Sequence, residues 1–210
     1  MEQTKNEEFI PDIDYLEKDS MVVGYTSSEE QINIYKEATS FIPFENVSIL
    51  DVGCGRGDLL KFILGGIEDT VRSKFSYKGI DKNLLMCDLA NAIHNSVLGD
   101  NIKFEHSNFS DIRNSDETFD IIFHLLTTRM EHFTDDDTKY KEFSNDAILQ
   151  SLALLNDGGY VVFFLQNDTS KHDGSVTTYN IPTIASMIPN HRYAIDNQVI
   201  AGFTKIIIFK

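Results

Sequence analysis

The 210-residue chain has no tryptophan, two cysteines and four prolines. Cys54 and Cys87 show no metal-ligand spacing, so a zinc cluster or disulfide framework is not available and both read as small buried thiols. Basic residues are also scarce: 18 Lys and Arg face 33 Asp and Glu, for a net charge of −15. A field of that sign repels polyphosphate, and no basic cluster overrides it locally, so duplex nucleic acid is a poor partner. No apolar run reaches the roughly 20 residues that span a bilayer, and the opening MEQTKNEEF lacks the basic and apolar regions of a secretory signal. A cytoplasmic location is the expectation. Repeats, low-complexity tracts and Pro/Gly linkers are missing as well. The acidic run Asp135, Asp136, Asp137 has no second ligand set at fixed spacing, so it reads as a solvated helix start and no metal is expected.

What is present is enough apolar residue, 41%, to bury one sizeable core. Residues 1 to about 20 are polar and acidic and read as a loosely held arm. Ser28 can cap a helix running from Glu29 to about Phe41, with Gln31, Ile34, Ala38 and Phe41 on one face. Beyond it the chain alternates strand and helix, the pattern of a parallel sheet covered on both faces. Strands are expected at 47–52, 76–80, 101–105, 119–125 and 159–165, with helices near 57–65, 83–94 and 138–155. The ending breaks the alternation: residues 191–200 and 203–209 are β-rich and joined by Ala201-Gly202, which reads as an antiparallel hairpin. The expected fold is α/β and doubly wound, divided into an N-terminal arm and cap helix (1–46) and a main domain (47–210).

The segment 47–60, VSILDVGCGRGDLL, carries the most chemistry. A short apolar strand around Asp51 stops in a turn with glycines at 53, 55 and 57, and Asp58 then leads into the helical pattern Leu59, Leu60, Ile63, Leu64. Such a turn brings a ligand against backbone N–H groups and the positive end of a helix at the carboxyl edge of a sheet. A dinucleotide fingerprint has two residues between its second and third glycines; here only Arg56 stands there, which disfavours a dehydrogenase. The next strand ends in Asp81, where a carboxylate can accept from both hydroxyls of a ribose.

LDVGCGRG and GID together resemble the first two motifs of class I S-adenosylmethionine-dependent methyltransferases, and the resemblance extends over 47–210. It implies a Rossmann-like, seven-stranded, mostly parallel sheet whose last strand inserts antiparallel. S-adenosylmethionine is the implied cofactor. By position, Asp51 orders the loop and reaches the methionine amino group, Gly53, Gly55 and Gly57 line methionine and ribose, and Asp81 holds the ribose. Lys82 and Asn83 stand where the family has a small or apolar residue against adenine. In KFEHSNFSDI, Asn108 replaces the usual acid as adenine acceptor and Phe109 can pack on the ring. The segment GYTSSEEQ (24–31) resembles a lid found over the cofactor in small bacterial and phage-type relatives, implying that Tyr25 and Gln31 contact methionine or substrate. FDIIFHLLT and LNDGGYVVFF match strand four and the turn before strand five.

Methyl transfer from a sulfonium asks the protein mainly for alignment and sometimes a base. His124 at the end of strand four, His132 in the loop beyond it and His172 after strand five are the candidate bases, since imidazole titrates near neutral pH. The chain has neither the Asn/Asp-Pro-Pro-aromatic motif of adenine or amide N-methylation nor a Pro-Cys nucleophile. With the acidic charge, this favours a small-molecule acceptor. Its walls are expected around 124–132, 167–179 and Tyr25. The alternatives are a protein or tRNA methyltransferase with a partner subunit and a regulatory protein that binds the cofactor without turnover.

Overall fold

The computed structural model describes residues 28–68, 71, 74–112, 115–125, 137–166, 192–200 and 203–210. Helix α1 (Ser28–Thr39) precedes β1 (Ser48–Val52), α2 (Asp58–Gly66), β2 (Ser76–Asp81), α3 (Leu84–Ile93) and β3 (Ile102–His106). Then come the four-residue α4 (Phe109–Ile112), β4 (Phe119–Leu125), α5 (Asp137–Leu154), β5 (Leu155–Gln166), β6 (Arg192–Ile200) and β7 (Phe203–Phe209).

The seven strands form one sheet in the order β3-β2-β1-β4-β5-β7-β6. β1 pairs in parallel with β2 on one side and β4 on the other, so the chain order reverses at β1 and opens a crevice at its carboxyl end. β7 lies antiparallel between β5 and β6, as the terminal hairpin reading expects. The seven-stranded Rossmann-like architecture is therefore present.

Alternation along the strands divides the core into two faces. Ile49, Tyr77, Phe104, Ile121, Phe123, Val162 and Phe164 face α1, α2 and α3. Leu50, Ile80, Ile122, Val161, Phe163, Ile206 and Ile208 face α5 and α4. Helix α1 buries Gln31, Ile34, Tyr35 and Ala38, a 3–4 spacing that makes one stripe.

Two details escape the sequence. β5 starts at Leu155 rather than 159: Leu155 pairs with Phe119, the chain bulges through Gly158 at φ 82, and pairing resumes at Tyr160 with Ile121. The Gly-Gly turn is thus a bulge inside a longer strand. At this amino edge Asp120 accepts from Ser48 N–H and Oγ at 2.7 Å each and from Asn156 Nδ2 at 2.8 Å, tying β1, β4 and β5 together. The other detail, α4, is too short for periodicity to reveal.

Candidate cofactor site

Where β1 ends, the N–H groups of Gly53 and Cys54 donate to Ile80 O at 2.8 and 3.0 Å, turning the chain over the end of β2. Gly53, Gly55 and Gly57 all have positive φ, 71, 53 and 78°, so the loop shape depends on residues that reach this region without strain. Gly57 then stands at the N-cap of α2 with no side chain to block that terminus. Gly79, unremarked in the sequence, is needed for packing: a Cβ there would lie 2.5 Å from Phe104 Cδ1.

Asp81 is fixed from two sides. Gly55 N–H donates to its Oδ2 at 3.0 Å and Asn83 N–H to its Oδ1 at 2.9 Å. Asn83 in turn caps α3 by accepting from Leu85 N–H at 3.0 Å. A carboxylate oxygen has more than one acceptor position, so both remain able to receive hydroxyls. The glycine loop and Asp81 therefore form one hydrogen-bonded unit at the carboxyl edge.

Asp51 lies beneath that unit, 3% exposed, and accepts from the Tyr77 hydroxyl. Burial pushes its carboxyl up to about 7; the Tyr77 bond opposes the rise, and the nearby Asp81 and Asp58 add to it. The same burial, with Asp58 and Asp51 beside it, raises the Tyr35 hydroxyl well above its usual value. Tyr35 accepts from Gln31 Nε2 at 2.6 Å, while Gln31 Oε1 is buried without a partner among the described residues. A buried acid and an orphaned carbonyl oxygen on one side of the glycine loop suit a cationic donor such as an amino acid's ammonium. The residues present thus fit S-adenosylmethionine: acceptors for a ribose at Asp81 and for an ammonium near Asp51.

The remaining sites divide. Asn108 is exposed, and its N–H and Nδ2 both donate to Asp111 Oδ2, at 3.3 and 3.4 Å, so its nitrogen atoms are engaged at the start of α4. Phe109 is half-buried, its ring edge-on to His124 at 4.9 Å. His124 is 2% exposed, stacked on Phe163 at 4.6 Å, with Nε2 on Ser151 Oγ at 2.8 Å. Burial lowers its pKa to about 3, so the near-neutral titration expected of it does not occur. Its strand position, even-numbered like Ile122, turns it to the α5 face rather than to the edge. Tyr25, His132 and His172, and the proposed wall 167–179, lie outside the described residues.

The two cysteines are both buried and free, and each thiol donates to a backbone carbonyl of the site, Cys54 Sγ to Gly55 O and Cys87 Sγ to Asp81 O, at 3.6 Å each. His94, on the turn after α3, stacks on Phe104 at 5.3 Å and backs Gly57, a contact no local pattern could indicate. No group of three or more potential metal ligands occurs among the described residues. Nor is any helix there long and apolar enough to cross a membrane.

The switch-point crevice, the three left-handed glycines and the acid closing β2 define a nucleoside-cofactor-binding α/β protein of the methyltransferase type. Residues 49–145 match the family described as a methyltransferase domain. The plantazolicin methyltransferase BpumL in complex with SAH (S-adenosylhomocysteine) superposes with TM-score 0.56 at 16% identity, covering 87% of this chain and 81% of that one. Magnesium protoporphyrin IX methyltransferase of Synechocystis with bound SAH gives TM-score 0.59 at 11% identity, covering 87% and 84%. An O-methyltransferase family protein of Burkholderia thailandensis gives 0.58 at 15%, covering 87% and 56%. No curated sequence matches the chain. The chain thus carries a methyltransferase domain over residues 49–145 and shares the fold of these S-adenosylmethionine-dependent methyltransferases.

Proposed function

We propose that this enzyme methylates a small molecule, with α1 as a cap on a catalytic domain that begins near residue 47. The observation that carries the cofactor placement is the clamp of Asp81 between Gly55 N–H and Asn83 N–H. S-adenosylmethionine, when bound, supplies an activated methyl on a sulfonium leaving group. The chain's part is to hold and align it. Asp81 accepts the ribose hydroxyls, Gly53, Gly55 and Gly57 let backbone approach, and Asp51 favours a cation above it. Asn108 and Phe109 border the adenine through the amide oxygen and the ring face.

His124 we assign to the core, where it props Phe109 from behind. A base, for acceptors that require one, is then His132 or His172, with Tyr25 completing the wall. The small-molecule reading is supported by the net charge of −15 and by structural neighbours whose names specify magnesium protoporphyrin IX and plantazolicin. A macromolecular acceptor would need a partner subunit to supply opposite charge.

Calorimetry with S-adenosylhomocysteine tests the site: Asp81→Ala weakens binding by about 1–3 kcal/mol, since ribose hydroxyls lose their charged acceptor. Unchanged affinity refutes the ribose assignment. Following S-adenosylhomocysteine release with pooled small molecules, and separately with bulk tRNA or protein, tests the acceptor class. Turnover confined to macromolecules refutes it.

A further inference from the structure

Asp51 lies near the end of β1, in register with Gly79 of β2 on one side and Phe123 of β4 on the other. Neither neighbour can pair with a carboxyl, since one has no side chain and the other is apolar. What reaches it is Tyr77, two residues back along β2 and in register with Ile49, whose hydroxyl donates to Oδ2. The Tyr77 ring is itself fully buried and held edge-on by Phe104 at 5.8 Å, so the hydroxyl has little freedom to leave. Oδ2 is thereby tied back toward the amino side of the sheet. Oδ1 is left for a ligand at the carboxyl edge.

The groups packed around Asp51 supply no opposite charge. Tyr35 faces it from α1 and Cys54 from the loop, and both are neutral near pH 7. Asp81 from the end of β2 and Asp58 from the start of α2 are acids, and the cation beside them, Arg56, is engaged by Asp58 at 3.4 Å. Burial therefore holds the Asp51 carboxyl protonated up to about pH 7, while the Tyr77 bond, stronger to the ion than to the acid, works against burial. A cation that keeps the carboxyl ionised has to arrive with a ligand.

We propose that Tyr77 is a positioning residue for the cofactor: by donating to Asp51 Oδ2 it leaves Oδ1 to the crevice and favours the ion, so that the methionine ammonium binds as Asp51 gives up its proton to solvent. The inference rests on the placement of an ammonium near Asp51 proposed above. It adds to that placement a proton released on binding, and a residue outside the glycine loop that sets the pH at which release ceases.

The test follows affinity against pH for S-adenosylhomocysteine and for methylthioadenosine, which has the same nucleoside but no amino acid. Wild-type affinity for the first is expected to rise about tenfold per pH unit below the Asp51 titration and to level off near pH 7, whereas affinity for the second stays flat. Tyr77→Phe keeps the ring and removes the donor. Its plateau should begin about one pH unit higher, leaving it roughly tenfold weaker than wild type at pH 6 and equal to it by pH 9. A plateau at the wild-type pH, or an equal loss at every pH or for both ligands, overturns the role of Tyr77 while leaving Asp51 its ligand.

Should the variant not fold, wild-type calorimetry at pH 6 in buffers of different ionisation enthalpy still decides. Release approaching one proton per S-adenosylhomocysteine, and none per methylthioadenosine, supports the proposal; no release, or equal release with both, overturns it. S-adenosylhomocysteine that binds no better than methylthioadenosine at any pH refutes the ammonium placement and the proposal with it. Failure to bind either removes the cofactor site itself.

Discussion

Replacing Asp51 by asparagine removes one charge and almost no volume, and the amide oxygen can still accept from Tyr77. In the wild type the carboxyl titrates at about 7 when folded, against 3.8 when exposed, because burial disfavours the ion. Between those values the folded chain holds a proton that the unfolded chain has released. Stability contributed by that proton is full below the unfolded pKa and is lost as pH rises through the folded one, at about 1.4 kcal/mol per pH unit. Tyr77, Asp58 and Asp81 are the groups that face it; Tyr77 stays neutral, since burial raises its own pKa well above the usual value. Asparagine has nothing to titrate. The stability of Asp51→Asn relative to wild type should therefore rise by about 3 kcal/mol between pH 5 and pH 8. Urea denaturation of both proteins at half-unit steps measures this. A difference that stays flat across the range refutes a buried, proton-holding Asp51. At the same time the variant should bind S-adenosylhomocysteine more weakly at pH 8, an exchange of function for stability.

Gly57→Ala would force φ 78 on a residue with a side chain and set its Cβ 2.6 Å from Phe104 Cζ and 2.8 Å from His94 Nε2. A loss of about 1–3 kcal/mol in denaturant titration is expected, together with lost cofactor affinity. Asp120→Ala takes the acceptor from Ser48 and Asn156 at the far edge of the sheet; it should cost about 1–3 kcal/mol of stability and leave S-adenosylhomocysteine affinity unchanged by calorimetry. His124 should show imidazole carbon shifts in NMR that do not move between pH 5 and pH 8, because its folded pKa is near 3.

The alternation of strand and helix, the terminal hairpin and the glycine loop could be read from the sequence because each has a local signature. Strands 48–52 and 119–125 announce themselves as short apolar runs, and 53–57 by glycine spacing. What stayed hidden depends on pairs distant in the chain. Tyr77 reads as an ordinary β-strand aromatic until β1 and β2 pair and its hydroxyl meets Asp51, 26 residues away. Cys54 and Cys87 have no motif in common, yet the fold buries both, and Cys87 Sγ donates from α3 to Asp81 O at 3.6 Å. His124 shows the opposite failure: its position at the end of strand four suggested an edge residue, but alternation turned it inward. One residue earlier or later, the same histidine would face the helices that cover the glycine loop.

The two faces of the sheet treat their buried polar groups differently, and the difference separates structure from function. Toward α5, His124 is paired with Ser151, which also donates to Ala147 O at 2.7 Å, so that small network is complete within the fold. Toward α1 and α2, Asp51 is held uncharged up to about pH 7 and Gln31 Oε1 is left without a donor. Burial without full pairing is costly, and a fold selected for stability alone would replace such groups by apolar ones of like shape. Completing one face and leaving the other with an unmatched acceptor concentrates the deficit beside α1. A ligand that brings a donor there would relieve it on binding, so that part of the stability missing from the free chain would reappear as affinity.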